Sequence, residues 1–230
     1  EKIAGQHGRV WLREIIDELT ALDNLMILKK STAFGLYDHN FVCISQDLSC
    51  GQIKSSSLMP RQRLHRVRAK QIIFATGAFE RPLVFARNDL PGIMQASSVS
   101  TYVNRYGVAP GNDLVLFVTN DNAYSTALDW HEVGRRVVAI IDTRFEPDEE
   151  VVDSVRSRGI TVLTGHVVME ASGKRRVKRV LVAPINADGT EISGAVRYFD
   201  CDLVAVSGGW SPAIHLSSHI GSKPIWDETI

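Results

Sequence analysis

Three stretches of this sequence have the residue types and spacing to hold a ligand. The first is Ile72-Ile73-Phe74-Ala75-Thr76-Gly77-Ala78, an apolar run that ends at a small residue and a glycine. Such an end lets backbone N–H groups approach a ligand with no Cβ in the way. In open α/β sheets, ligands sit beyond the carboxyl ends of strands. An ordinary strand-to-loop exit would read the same way. The second stretch runs from Val115 to Asp142. In a dinucleotide-binding unit, a glycine-rich turn after the first strand brings a pyrophosphate to a helix N-terminus, and an acidic residue about 20 positions on accepts from ribose hydroxyls. The acid is present as Asp142, after Val137-Val138-Ala139-Ile140-Ile141. The glycines are absent, because the turn reads Thr119-Asn120-Asp121-Asn122-Ala123-Tyr124. Asn120 can adopt left-handed backbone and cap a helix. Asp121 would set a negative charge near a pyrophosphate, and Tyr124 is bulky where a small residue packs best. The expectation is a retained fold with a weakened or lost nucleotide site, Asn120 and Asp142 being its candidate residues. The third stretch, Asp202-Leu203-Val204-Ala205-Val206-Ser207-Gly208-Gly209-Trp210-Ser211-Pro212, again ends a buried run at glycines. Its likeness to the first suggests that both tips, 75–77 and 206–209, face one crevice.

Other chemistries find less support. His215 and His219 stand four apart and could share a helix face, but Leu216, Ser217 and Ser218 supply no glutamate and no third ligand is apparent, so no metal is expected. Ser207 lies in no nucleophile-elbow pattern. Cys43, Cys50 and Cys201 are isolated and odd in number, which fits a reducing compartment and offers no dithiol pair. No catalytic residue is assigned.

The elements that must position these sites follow from periodicity. Trp11, Leu12, Ile15, Ile16, Leu19 and Leu22 recur at helical spacing, predicting an amphipathic helix over 8–22. Strands are predicted at 25–28, 32–37 and 41–45, with Asp38-His39-Asn40 as a tight turn. Residues 47–61 read as a surface excursion, 63–68 and 71–75 as strands, and 81–93 as irregular. A helix is predicted over 94–105, with a boundary at Gly107, Pro110 and Gly111. Then comes strand 114–118, helix 123–133, strand 136–141, helix 149–158 and strand 160–163, an order that calls for a parallel sheet covered by helices. Residues 166–200 read as antiparallel strands with a turn at Asn186-Ala187-Asp188-Gly189, and 203–206 as a last buried strand.

The chain has 230 residues, 44% hydrophobic and 23% charged, with 26 basic and 26 acidic residues. That is an ordinary globular composition with no net field to gather nucleic acid or anionic membrane. The densest basic run, Arg61, Arg63, His65, Arg66, Arg68 and Lys70, is interleaved with Leu64, Val67 and Ala69 and reads as the solvated face of a strand. No apolar run approaches the roughly 18 residues of a membrane helix. The chain opens on Glu1 with no signal-peptide pattern, so a cut or processed N-terminus and a cytoplasmic location are expected.

At Ala75-Thr76-Gly77-Ala78-Phe79-Glu80-Arg81-Pro82 the sequence resembles the alpha subunit of heterotetrameric sarcosine oxidase. So do Thr32 to Asn40, Pro60 to Leu64, Thr101 to Gly111 and Ser207 to Pro212. The larger subunits of opine, proline and cyanide-forming dehydrogenases share a looser version. The resemblance implies an α/β, Rossmann-like three-layer fold of the glutathione reductase type, built to bind FAD or NAD(P), in which one dinucleotide domain is interrupted by another. It implies NAD on this subunit, FAD and FMN with the amine chemistry on a beta subunit, and tetrahydrofolate on a separate domain. The implied reaction is oxidative demethylation of sarcosine to glycine, with peroxide formed and the one-carbon unit passed to folate. Thr76 and Gly77 would line the dinucleotide, Ala33 and Phe34 would meet the adenine through their backbone, and Gly208 and Gly209 would mark the return to the first domain. The implied division is 1–111 as an incomplete first domain, 112–200 as an inserted second, and 201–230 as the return. On this reading the chain is an internal fragment, inactive alone, whose partners are the other subunits. A non-catalytic dinucleotide-binding or scaffold module is the competing reading. An independent disulfide reductase is disfavoured by the lack of paired cysteines.

Overall fold

A computed structural model describes residues 2–3, 5–49 and 60–226. The chain forms two compact units, one of Glu1–Thr76 with Ile214–Ile230 and one of Gly77–Ala213.

In the first unit, β1 (Lys2–Ile3) and β2 (Gln6–His7) form a short antiparallel ribbon that leads into α1 (Gly8–Thr20). The His7 ring accepts from the Arg9 N–H at 3.3 Å and so caps the helix. α1 ends two residues before the predicted limit, because the Ala21 N–H already closes onto the Asp17 and Glu18 carbonyls. The predicted strand 25–28 does not form, and Met26 there is 78% exposed. β3 (Ser31–Tyr37), β4 (Phe41–Asp47) and β5 (Gln62–Arg68) form an antiparallel meander. The predicted turn joins the first two, with His39 and Asn40 in left-handed backbone. The basic run lies along β5, whose residues are exposed except for half-buried His65. A short helix, His215–Ser218, completes the unit, and the His219 ring accepts from the Leu36 N–H at 3.4 Å. Most of the predicted surface excursion falls outside the described residues.

The predicted strand 71–75 also does not form, and Ile73 is 92% exposed. Apolar residues alone do not make a strand. Its backbone groups need a neighbouring ladder, and among the described residues none pairs with this segment.

The second unit contains β6 (Ala78–Glu80), β7 (Ile93–Gln95), α2 (Ala96–Tyr106), β8 (Asp113–Val118), α3 (Tyr124–Glu132), β9 (Arg136–Asp142) and α4 (Glu149–Arg156). It continues with β10 (Val162–Thr164), β11 (His166–Ser172), β12 (Arg179–Pro184), β13 (Arg197–Asp200), β14 (Leu203–Ser207) and β15 (Trp210–Pro212). Five strands form an all-parallel sheet in the order β10-β9-β8-β14-β7. Its two faces are covered differently, and β8 shows how. Leu114, Leu116 and Val118 point to α2, α3 and α4, where they meet Val99, Ala127, Trp130 and Val155. Val115 and Phe117 point the other way, to Phe85, Val168, Val180 and Val182, beneath the antiparallel sheet β11-β12-β13. The two-residue side-chain period of a strand buried on both sides thus builds three layers.

The compact unit is wider than the division read from the sequence. β7, α2 and β14 share its sheet and core, and β14 is hydrogen-bonded to β8 on one side and β7 on the other. The start of β14 is fastened by Asp202, whose carboxylate accepts from the N–H groups of Asn112 (2.8 Å) and Asp113 (2.9 Å). Burial alone would raise this carboxyl, but those N–H donors outweigh it and hold it below the usual range. A Cβ on Gly111 would come within 2.7 Å of the Asp202 carboxylate, so only glycine fits.

Beside it, Cys201 is 4% exposed. Burial, and then the charges of Asp202, Asp200 and Asp113, push its thiol up to about 12. The free-thiol value is about 8.5. A raised acid leaves folding stability intact below that value and removes it as pH climbs toward the folded one. Two outcomes are expected. Iodoacetamide at pH 8 leaves Cys201 unmodified in the native chain and alkylates it in urea, as read by peptide mass spectrometry. Above pH 8.5, wild type loses stability faster than Cys201→Ala.

Candidate functional site

The carboxyl ends of β7, β14, β8 and β9 form the edge at which an open parallel sheet binds ligands, and two of the three candidate stretches reach it. At the tip of β8, Asn120 turns inward. Its amide donates to the Ser207 hydroxyl at 2.9 Å and carbonyl at 3.3 Å, and its Oδ1 accepts from the Ala123 N–H at 3.2 Å. One side chain therefore ties the β8 and β14 tips together and holds the turn that leads into α3.

Asp142, the last residue of β9, is fully buried. The Tyr124 hydroxyl donates to it at 2.9 Å. Arg144 donates three more bonds, from its backbone N–H at 2.9 Å, from Nε at 3.2 Å and from Nη2 at 2.8 Å. Arg144 Nη2 also bonds Asp121 at 2.7 Å, and the Asp148 N–H reaches the same Asp121 oxygen at 3.3 Å. The loops after β8 and β9 are thus joined by an ion-pair network with a buried floor. The Arg144 bond holds the Asp121 carboxyl below its usual range. Burial would lower the Arg144 guanidinium, but its bonds to Asp142 and Asp121 outweigh this and raise it. Burial first, and then the Asp142 charge, raise the Tyr124 phenol, which stays protonated and donates.

The third stretch enters a two-stranded antiparallel sheet. β15 pairs antiparallel with β6, and the Gly208 N–H and Gly209 carbonyl bond the Arg81 backbone at 2.6 and 2.8 Å. At the other end of the ladder the Gly77 carbonyl accepts from the Ala213 N–H at 2.9 Å. Gly77 and the 208–209 pair therefore stand at opposite ends of a three-residue ladder, on the order of 10–13 Å apart at a strand's rise. Gly208 is glycine because a Cβ would press on the carbonyls of Arg81 (3.0 Å) and Pro82 (3.1 Å). Gly209 and Gly77 have φ of 84° and 69°, where other residues are strained. Nothing lies within 4 Å of where a Gly77 Cβ would be.

One participant was not legible in advance. Glu80, 7% exposed, accepts from the Ser97 N–H at 3.0 Å and hydroxyl at 2.6 Å and so caps α2 from 17 residues away. No local spacing could announce that. Arg144 could have been found, because a cation two residues after a strand-terminal acid can fold back on it. In the first unit, Ala33 and Phe34 lie on β3 at a bulge, where the pairing with β4 passes from Ala33 to Gly35 and skips Phe34. His215 and His219 gather no third ligand, and no cluster of three metal-binding side chains occurs among the described residues. No helix among the described residues is long and apolar enough to cross a membrane.

Compared with known proteins, the chain is 38% identical over 233 residues to the sarcosine oxidase alpha chain of Corynebacterium sp. (strain P-1), with 100% of the chain aligned. It is 37% identical over 224 residues to the sarcosine oxidase alpha chain of Rhizobium meliloti. The chain spans about a quarter of the length of these relatives, 24% and 21%. An opine oxidase subunit of Rhizobium meliloti is 27% identical across 72% of the chain and 39% of its own length. Among solved structures, L-proline dehydrogenase from P. horikoshii superposes with a TM-score of 0.62 at 17% identity, covering 99% of this chain and 38% of that one. A FAD-dependent pyridine nucleotide-disulphide oxidoreductase from Desulfovibrio vulgaris gives 0.54 at 16% identity, covering 84% and 46%. These likenesses fix the fold as Rossmann-like α/β. No family model matches the chain.

Proposed function

From a chain that corresponds over its whole length to an internal segment of sarcosine oxidase alpha subunits, we infer a part in an oxidoreductase that demethylates sarcosine oxidatively to glycine, with peroxide as co-product. The observation that carries this reading is the 37–38% identity, aligned over 97–100% of the chain. The ionisable groups at the sheet edge, Tyr124, Asp142, Arg144 and Asp121, are bonded to one another. That fits a division of labour in which the flavins and the amine chemistry belong to a partner, while this chain contributes a dinucleotide-binding frame.

NAD is proposed as the nucleotide, in the first unit. There Phe34 sits at the β3 bulge, where the pairing with β4 passes from Ala33 to Gly35, and a bulge is a common device beside binding sites. Ala33 would share this adenine contact, and Thr76 would approach the phosphates. In domain terms, residues up to 76 and from 214 would belong to the first dinucleotide domain and 77–213 to the second.

The test uses the intact chain, with all the sequence its gene supplies, assembled with its partner subunits. Peroxide release from sarcosine is expected. Turnover of an opine or of proline in its place would transfer the chain to those relatives. Opines are the reading favoured second, on the 27% identity with the opine oxidase chain.

A further inference from the structure

We infer that the carboxyl edge of the second unit's parallel sheet is a self-closed site: it keeps the architecture of dinucleotide binding and fills the ligand's positions with its own side chains. This rests on geometry within the second unit and not on which amine the enzyme oxidises.

A dinucleotide needs three things at such an edge. Its pyrophosphate needs unsatisfied N–H groups at a helix N-terminus. Its ribose needs an acid at the end of the second strand with lone pairs to spare. Its backbone needs small residues at the first turn. The chain withholds all three. N–H groups at each helix start on this edge are met internally: in α2 that of Ser97 by Glu80 (3.0 Å), before α3 that of Ala123 by Asn120 (3.2 Å) and at its first residue that of Tyr124 by the Asp121 carbonyl (3.1 Å), and in α4 that of Val151 by Asp148 (3.2 Å). An ionised carboxylate offers about four lone-pair sites, and Asp142 receives four donors, one from Tyr124 and three from Arg144. No acceptor capacity is left for ribose hydroxyls.

The first turn carries Asp121 and the fully buried Tyr124 where glycines would admit a phosphate. Asp121 is an anion near the start of α3, where a pyrophosphate would have to lie. Arg144 could suggest recognition of a 2′-phosphate, but its guanidinium already bonds Asp142 (2.8 Å) and Asp121 (2.7 Å). A nucleotide would have to break a buried ion pair to enter. The four residues together replace the ligand as the bridge between the loops after β8 and β9.

The test is hydrogen–deuterium exchange on the intact chain in its assembled complex, with NAD and then NADP added at saturation. Amides of 119–125 and 142–148 are expected to exchange at unchanged rates. Slowing of either segment by either nucleotide overturns the inference. Calorimetry supplies a second reading on the conservative variants Tyr124→Phe and Asp142→Asn, where NAD affinity is expected to stay within twofold of wild type. A tenfold or greater loss in either variant overturns the inference. Protection confined to 31–37 and 76 would support the first-unit site and this closure together. Protection nowhere would remove the first-unit site alone and leave the closure standing.

Discussion

Arg144→Met is expected to lower the unfolding free energy by about 3 kcal/mol, because it leaves the Asp142 charge in the interior without its cation. Breaking a buried ion pair by removing one partner costs about 3–5 kcal/mol. The lower end applies here, since the Arg144 side chain is 29% exposed while Asp142 is 0% exposed. The Tyr124 hydroxyl and the backbone N–H at 144 remain as donors and limit the damage. The physical cause has its own signature. In the double variant Arg144→Met with Asp142→Asn, the orphaned charge is gone and most of the loss is expected to return. Urea unfolding of the four chains of this cycle gives the coupling directly. Equal loss in the single and double variants would mean that the packing of the Arg144 stem, and not its charge, matters.

Trp130→Ala is expected to cost about 3–5 kcal/mol, the range for emptying a large aromatic site in a core. Trp130 is 0% exposed and sits in the cluster of α2, α3, α4 and the helix-facing side of β8 and β9. Its Nε1–H donates to the Arg136 carbonyl at 3.2 Å, so truncation also strips a half-buried acceptor at the start of β9. Trp130→Phe keeps most of the volume but loses that bond, and should cost clearly less than the alanine change. Thermal unfolding followed by circular dichroism ranks the three chains. An alanine variant as stable as wild type would show that the helical layer is not packed on the sheet as described.

Both predictions concern one half of the molecule for a physical reason. A parallel sheet covered on both faces buries all its strands, so its edge is where polar groups must be satisfied by something. In a working dinucleotide domain the ligand provides part of that satisfaction. Here Asn120, Glu80, Asp148 and the Tyr124–Asp142–Arg144–Asp121 network provide it from within.

Much of this was legible in the order of residues. The alternation from Leu114 to Leu163 announced strands, helices and a parallel sheet, because two-sided burial demands continuous apolar runs and short connections. The turn at 119–124 was legible as one without glycines, and Asn120, Asp121 and Tyr124 each make a side-chain bond there. The basic run on β5 was read as a solvated face, and its residues are exposed apart from half-buried His65.

What the chain's order could not supply were relations between distant positions. Residues 71–75 have a strand's composition, yet a strand exists only where a neighbour offers a ladder. Composition likewise set Leu203 to Val206 as a buried strand, but only the fold placed it between β8 and β7 and so widened the second unit to 77–213. Asp142 looked like a ribose acceptor by its spacing alone. The tertiary structure brings four donors to its two oxygens, a relation that no spacing announces. Local sequence fixes which groups want partners, and the fold decides which partners reach them first.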